Sequence, residues 1–167
     1  MKRVTLQPIH IKCFDLELDS CTVTELIHSW HGHLGLCRSL VEASMVCRLT
    51  VDRRIPHLNV KCQQRIDLQD GFVLMPHFKS ENTVSWIKYH VAAVAFHIGH
   101  CATSGHWRTA LLFHRDIWYV SDDGALLDRM THLTNSIQEQ IQLIWLIKHD
   151  LDRIPAAAAD LAEAPAD

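Results

Sequence analysis

The chain has 167 residues, enough for one domain with a substantial core and too few for two comfortable ones. It is 48% hydrophobic and 21% charged, which excludes a disordered or fibrous chain and fits an ordinary globular one. A net charge of -3 with histidine neutral leaves no basic field, so neither nucleic acid nor an anionic membrane is expected as a partner.

Residues 7–18 read as an extended strand region. Ile9, Ile11 and Cys13 alternate, and the register then shifts to Phe14, Leu16 and Leu18, as at a bulge. In "TVTELIHSWHGH", Thr22 with Glu25 three residues on is a capping box for a short helix. Its apolar face carries Leu26, Ile27 and Trp30, and it ends near Gly32. "SMVCRLTV" predicts a strand with Met45, Cys47, Leu49 and Val51 on one side. "RRIPHLNVKC" is strand-like but broken by Pro56. "DGFVLMPHF" opens on a turn at Asp70-Gly71 and continues as a short strand.

"KYHVAAVAFHIG", residues 88–99, is apolar on both faces and free of breakers, the pattern of a central strand. "WRTALLFH" and "DIWYVS" predict a hairpin around His114-Arg115-Asp116. "ALLDRMTHL" is expected to form a short helix. The isoleucine-rich "IQLIWLIKH" suits a last strand, although a buried helix is the alternative. The Ala/Pro/acidic tail, residues 151–167, is expected to be disordered and to lie outside the domain of residues 1–150. Sequential, hairpin-linked strands with few helices predict an α+β fold, mainly an antiparallel sheet with a few short helices to one side.

The six cysteines, Cys13, Cys21, Cys37, Cys47, Cys62 and Cys101, show no Cys-x-x-Cys spacing and no disulfide framework. "MKRVTLQPIH" lacks the apolar region of a signal peptide, and no apolar run has transmembrane length. These features predict an intracellular protein, cytoplasmic or nuclear, with its thiols mostly buried and free.

The 13 histidines decide nothing by their number. His28, His31 and His33 with Cys37 suggest a metal, but the i, i+3, i+5 spacing does not bring all three to one helix face, and tetrahedral zinc needs four convergent ligands. His97, near His100 and Cys101, alternates with Val91, Ala93 and Ala95 and reads as a satisfied buried histidine. No metal and no cofactor is expected. Trp118 and Tyr119 read as hairpin packing.

A different arrangement carries chemistry. If the strands around residues 88–99, 107–114 and 116–121 are neighbours, His106 stands at the start of the second and Asp122 and Asp123 at the end of the third. In an antiparallel hairpin those ends meet. A carboxylate on the imidazole Nδ1 would fix the tautomer and turn the other ring nitrogen to a reacting group. Gly105 allows close approach of backbone or substrate, and the small polar loop "GHCATSG" suits a mobile flap. Simple turn chemistry at Asp-Asp-Gly is the competing reading.

"KYHVAAVAFHIGHCATSGHWRTALLFHRDIWYVSDDGA" resembles the histidine box of the ubiquitin-specific proteases, the papain-like cysteine deubiquitinases. The matching elements are Tyr89, His97-Ile98-Gly99, the loop from Cys101 to Ser104, Gly105-His106-Trp107, Trp118-Tyr119 and Asp122-Asp123. "IQLIWLIKH" is similar to the family's final strand, and "FDLELDSCTVTELIHSW" more loosely to the unit that opens the second half of these domains. The resemblance implies thiol-dependent deubiquitination, the hydrolysis of isopeptide bonds at the ubiquitin C-terminus. His106 would be the general base, Asp122 would orient it, and Asp123 would support the charge or bind the substrate tail. Ser104, Gly105 and Trp107 would contact substrate, with Trp107 lining the channel for the Gly-Gly end. Ubiquitin or a ubiquitinated protein is the implied partner.

The family's nucleophile motif, rich in Gly and Asn and ending in Asn-x-Cys-aromatic, has no match. Lys12-Cys13-Phe14 is the nearest likeness, and it falls in an expected strand. Three accounts stay open: the C-terminal part of a longer protease, an inactive relative that binds ubiquitin or another protein, or a cysteine supplied by a partner chain. Under all three the isolated chain is expected to lack peptidase activity.

Overall fold

The computed structural model describes residues 9–13, 19–32, 37–55, 57–68, 72–79, 83–101, 103–113 and 117–149. The expected bulge around Phe14 to Leu18, the turns at Asp70-Gly71 and His114-Arg115-Asp116, and the tail lie outside these residues.

The first strand, β1 (Ile9–Lys12), is followed by β2 (Ser20–Thr22) and by α1 (Val23–His31). Thr22 caps α1 as its sequence predicts: its Oγ1 accepts from the Glu25 N–H, and the Glu25 carboxylate accepts from the Thr22 N–H. Leu26 and Ile27 are fully buried, each contributing about 2 kcal/mol of transfer free energy. The helix packs against β1 and against β5 (Val73–Lys79).

β3 (Val46–Asp52) pairs parallel with β1, Ile9 opposite Leu49 and Ile11 opposite Val51. A parallel pair needs a crossover, and α1 supplies it. The sheet is therefore mixed rather than simply antiparallel. The short pair β2 and β4 (Arg65–Asp67) is parallel as well. Cys47, Leu49 and Val51 are buried as read, whereas Met45 precedes the strand and is exposed. Of the strand-like segment broken at Pro56, the described residues carry an isolated bridge between Arg54 and Lys61, and Pro56 itself lies outside them.

The central strand β6 (Thr83–Ile98) has 16 residues, longer than its apolar core predicts. Tyr89 pairs with both Val73 and Lys148, so β5 and β10 (Ile141–Lys148) lie on opposite edges of β6. β7 (His106–Phe113) takes the edge beyond β5, and β8 (Ile117–Asp122) and β9 (Ala125–Met130) extend the sheet. The strand order is β1-β3-β10-β6-β7-β8-β9.

Two expectations about elements change. "ALLDRM" is strand β9, not a helix: the Asp123-Gly124 turn folds it back on β8, with Asp122 opposite Ala125. The short helix of this region is α2 (Asn135–Gln138), where Thr134 Oγ1 accepts from the Ile137 N–H. The last segment is strand β10, as its β-branched content predicts.

One face of the sheet, with Ile11, Leu49, Ile144, Val94, Phe96, Ala110 and Val120, forms the core. Trp118 joins it, consistent with packing rather than substrate contact. Among the described residues no helix is long and apolar enough to cross a membrane.

Candidate active site

The site follows from strand register. Ile98 of β6 faces His106 at the start of β7, and Thr109 of β7 faces Ser121 of β8. Ala110 and Val120 are paired on the core face, so residues of even number on both strands share that face. His106, Arg108 and Asp122 therefore converge where β7 begins and β8 ends.

His106 Nε2 contacts Asp122 Oδ1. The predicted meeting of imidazole and carboxylate is thus present, through Nε2 rather than Nδ1. Nδ1 is the ring nitrogen that the carboxylate does not hold. The His106 side chain is 47% exposed and that of Asp122 19%, so the pair is open to a ligand.

The second carboxylate oxygen is also engaged. Arg108 Nε donates to Asp122 Oδ2 at 2.9 Å, and Nη2 lies 2.8 Å from the same oxygen in an ion pair. Contact with His106 first, opposed by burial and aided by the Arg108 charge, holds the Asp122 carboxyl below its ordinary range. The sign of the pH dependence follows. A carboxyl depressed in the folded chain adds stability above the unfolded value, near pH ~3.9, and loses it as pH falls through the folded value. Asp122 is expected to titrate below free aspartate in a side-chain NMR titration, and titration at or above the free value contradicts this geometry.

Asp123 has φ +46° and Gly124 φ +81°. Positive φ at both central residues is the signature of a two-residue hairpin turn, so Asp-Asp-Gly serves the turn as well as the site. Ligand atoms of His106, Asp122 and Asp123 lie within 4.8 Å of one another, a grouping that could hold a metal ion. With both Asp122 oxygens engaged, the Arg108 guanidinium already provides the positive charge that a metal ion would bring.

Of the expected substrate contacts, Ser104 and Gly105 are exposed and Trp107 is 47% exposed. The Trp107 ring lies 5.0 Å from that of His97, its partner across the β6–β7 ladder. His97 is buried, as its alternation predicts. Its Nδ1 lies 3.1 Å from Lys61 Nζ, which also donates to the His97 carbonyl. Burial first, then the Lys61 charge, pushes the His97 imidazole down, favouring the neutral ring.

His28 stacks on Trp86 at 4.9 Å and His31 meets the same ring edge-on at 5.2 Å, while His33 lies outside the described residues. Cys13, the nearest likeness to a nucleophile, is fully buried and donates to Gln64 Oε1 at 3.0 Å. Its interaction with Cys21, then burial, pushes its thiol far up, the opposite of an activated thiolate.

Sequence reasoning missed Arg108 and Lys61. Arg108 was legible in principle: two residues beyond His106 in a strand, it must share the His106 face. Lys61 was not, because it lies 36 residues from His97.

No family model matches this chain, and no curated protein matches it in sequence. Solved structures do match the fold. The yeast SAGA deubiquitinating module with a mutant Sgf73 gives a TM-score of 0.61 at 16% identity, covering 86% of this chain and 34% of that one. The Ubp8/Sgf11/Sus1/Sgf73 module bound to ubiquitin aldehyde gives 0.60 at 14%, covering 86% and 36%. An essential yeast splicing factor gives 0.50 at 14%, covering 85% and 36%. Ubp8 is a ubiquitin-specific protease. The chain spans about a third of the length of these neighbours and has a ubiquitin-protease-like fold.

Proposed function

We propose that this chain is the histidine-bearing part of a ubiquitin-specific-protease-like domain, with His106 as general base and Asp122 as the group that orients it. The observation that carries the reading is the open His106–Asp122 pair on adjacent strands of this fold. In the reaction, the imidazole takes the proton of a cysteine thiol, and the thiolate attacks the isopeptide carbonyl carbon. The imidazolium returns that proton to the leaving lysine amine. It then accepts a proton from the water that hydrolyses the thioester, which releases the ubiquitin C-terminus and the thiol. Asp122 holds the ring through both charge states. Asp123 supports the charge or the substrate tail, and Ser104, Gly105 and Trp107 line the path of that tail.

The nucleophile comes from elsewhere, either chain upstream of this sequence or a partner. A missing companion is supported by the second face of the sheet. Trp107, Leu111 and Phe113 alternate along β7 and are each about half exposed, with Tyr119 beside them on β8. An open apolar face of this kind marks a surface built for contact. The six free cysteines agree with an intracellular, cytoplasmic or nuclear setting.

A second reading, an inactive module that binds ubiquitin or another protein, is favoured by the buried and deactivated Cys13. An essential yeast splicing factor matches the same fold.

Ubiquitin bearing a C-terminal electrophile, incubated with the chain alone and with an upstream segment carrying a thiol, separates the readings. The protease reading expects no adduct alone and an adduct with the segment. Binding of labelled ubiquitin without any adduct selects the inactive module, and no binding at millimolar concentration overturns both.

A further inference from the structure

We infer that Arg108 is a positioning residue: its guanidinium pins Asp122 Oδ2 so that Oδ1 stays on His106 Nε2. The inference rests on His106 being the base of the reading above. Arg108 Nε donates to Oδ2 at 2.9 Å, with Nη2 2.8 Å from the same oxygen. With Oδ1 on His106 and Oδ2 on Arg108, the carboxylate is held at both of its oxygens. Asp122 is the last residue of β8 and adjoins a turn, so its own backbone restrains it on one side only.

Arg108 is itself anchored. It pairs across the ladder with Phe96, and it lines a cleft of about 190 Å³ with Ile98, Val120, Ile137 and Gln140, roofed by α2. The buried Gln140 Oε1 has no hydrogen-bond partner there. The guanidinium thus reaches Asp122 from a packed strand rather than from a free side chain.

The charge matters as much as the geometry. A lone aspartate on an imidazole stabilises the imidazolium and so resists loss of its proton. Sharing Asp122 with Arg108 weakens that pull while leaving the ring oriented, which suits a base that must release and retake a proton. The charged groups placed beside His106 are Asp122 and Asp123 from the end of β8 and its turn, and Arg108 from β7, with Asp128 of β9 lining the same cleft as Arg108. Its neighbour on β6 is Ile98, and His97 faces the other side of the sheet with Trp107.

Side-chain NMR titration of Asp122 in the intact chain tests the assignment, with Arg108→Gln and Arg108→Lys as variants. In Arg108→Gln the Asp122 midpoint rises as the neighbouring positive charge and its hydrogen bond are removed. In Arg108→Lys the charge stays but the Nε hydrogen bond is lost, so the Asp122 midpoint falls between wild type and Arg108→Gln. An arginine that serves packing alone lowers the melting temperature and leaves the Asp122 titration on the wild-type curve, which overturns the inference. Should the glutamine variant not fold, the lysine variant decides: an Asp122 midpoint equal to wild type overturns it. The titrations need no ubiquitin, so failure here is separate from failure of the proposed function.

Discussion

Arg53→Met is expected to remove much of this domain's stability. Arg53 is 1% exposed and donates four hydrogen bonds, all to backbone carbonyls. Nε reaches Ile141 at 2.6 Å, Nη1 reaches Cys62 at 3.0 Å and Gln64 at 2.7 Å, and Nη2 reaches Gln138 at 2.9 Å. These carbonyls belong to β10, to α2 and to the irregular segment before β4, so one side chain ties three parts of the fold together. Methionine fills much of the volume and donates nothing. Each buried carbonyl left unpaired costs about 1–3 kcal/mol, so the change costs on the order of 4 kcal/mol or more. Domains of this size have about 5–15 kcal/mol in total. Urea unfolding should show the midpoint collapsing in Arg53→Met and partly restored in Arg53→Lys, which keeps some of the donors. A cooperative transition within about 1 kcal/mol of wild type would show that the bonds are dispensable. Burial pulls the Arg53 proton affinity down from its ordinary value, which is high enough to leave the group charged. The cost of burying that charge is offset by four carbonyl dipoles, with no acid among its hydrogen-bond partners.

Much of the fold could be read from residue pattern because those parts are locally determined. The capping box at Thr22 and Glu25 names its own geometry, and both of its hydrogen bonds are present. The β-branched run from Ile141 to Ile147 is a strand, and the apolar run from Lys88 to Ile98 is a central one. The failures are of one kind. "ALLDRM" has composition enough for a helix, and only its pairing with β8 makes it a strand. The Asp123-Gly124 hairpin signal stands directly before it and folds it back on β8. The parallel pair of β1 and β3 depends on α1 crossing between residues that sequence spacing does not connect.

The candidate site divides the same way. His106 and Asp122 meet because two adjacent strands fold as a hairpin, which short-range pattern announces. Strand periodicity places Arg108 on the His106 face, although the family pattern gives it no role. Lys61 and Arg53 come from the segment broken at Pro56. Their contacts, to His97 and to Ile141 and Gln138, span 36 to 88 residues of sequence, and nothing local marks them.

Gly105→Ala separates the two ends of the site. A Cβ at Gly105 would stand 2.3 Å from the Ile98 carbonyl oxygen and 2.6 Å from His97 Cε1 and Nε2. Neither neighbour can retreat cheaply. Ile98 is held in the ladder opposite His106, and the His97 ring is held by Lys61 in a buried position. The backbone at 105 must move instead, and His106 is the next residue. The variant should lose about 2–4 kcal/mol, the range of an overpacked interior combined with strained backbone. Its His106 should also move off Asp122, so that the Asp122 carboxyl, held low first by the His106 contact in the parent chain, titrates higher in Gly105→Ala. Gly124→Ala is the control. There a Cβ meets nothing within 4 Å, and the cost is that of φ +81° alone, about 1 kcal/mol. Equal losses at the two glycines, or a Gly105→Ala chain whose Asp122 titrates as in the parent chain, would mean that the approach of the loop to β6 does not position the histidine.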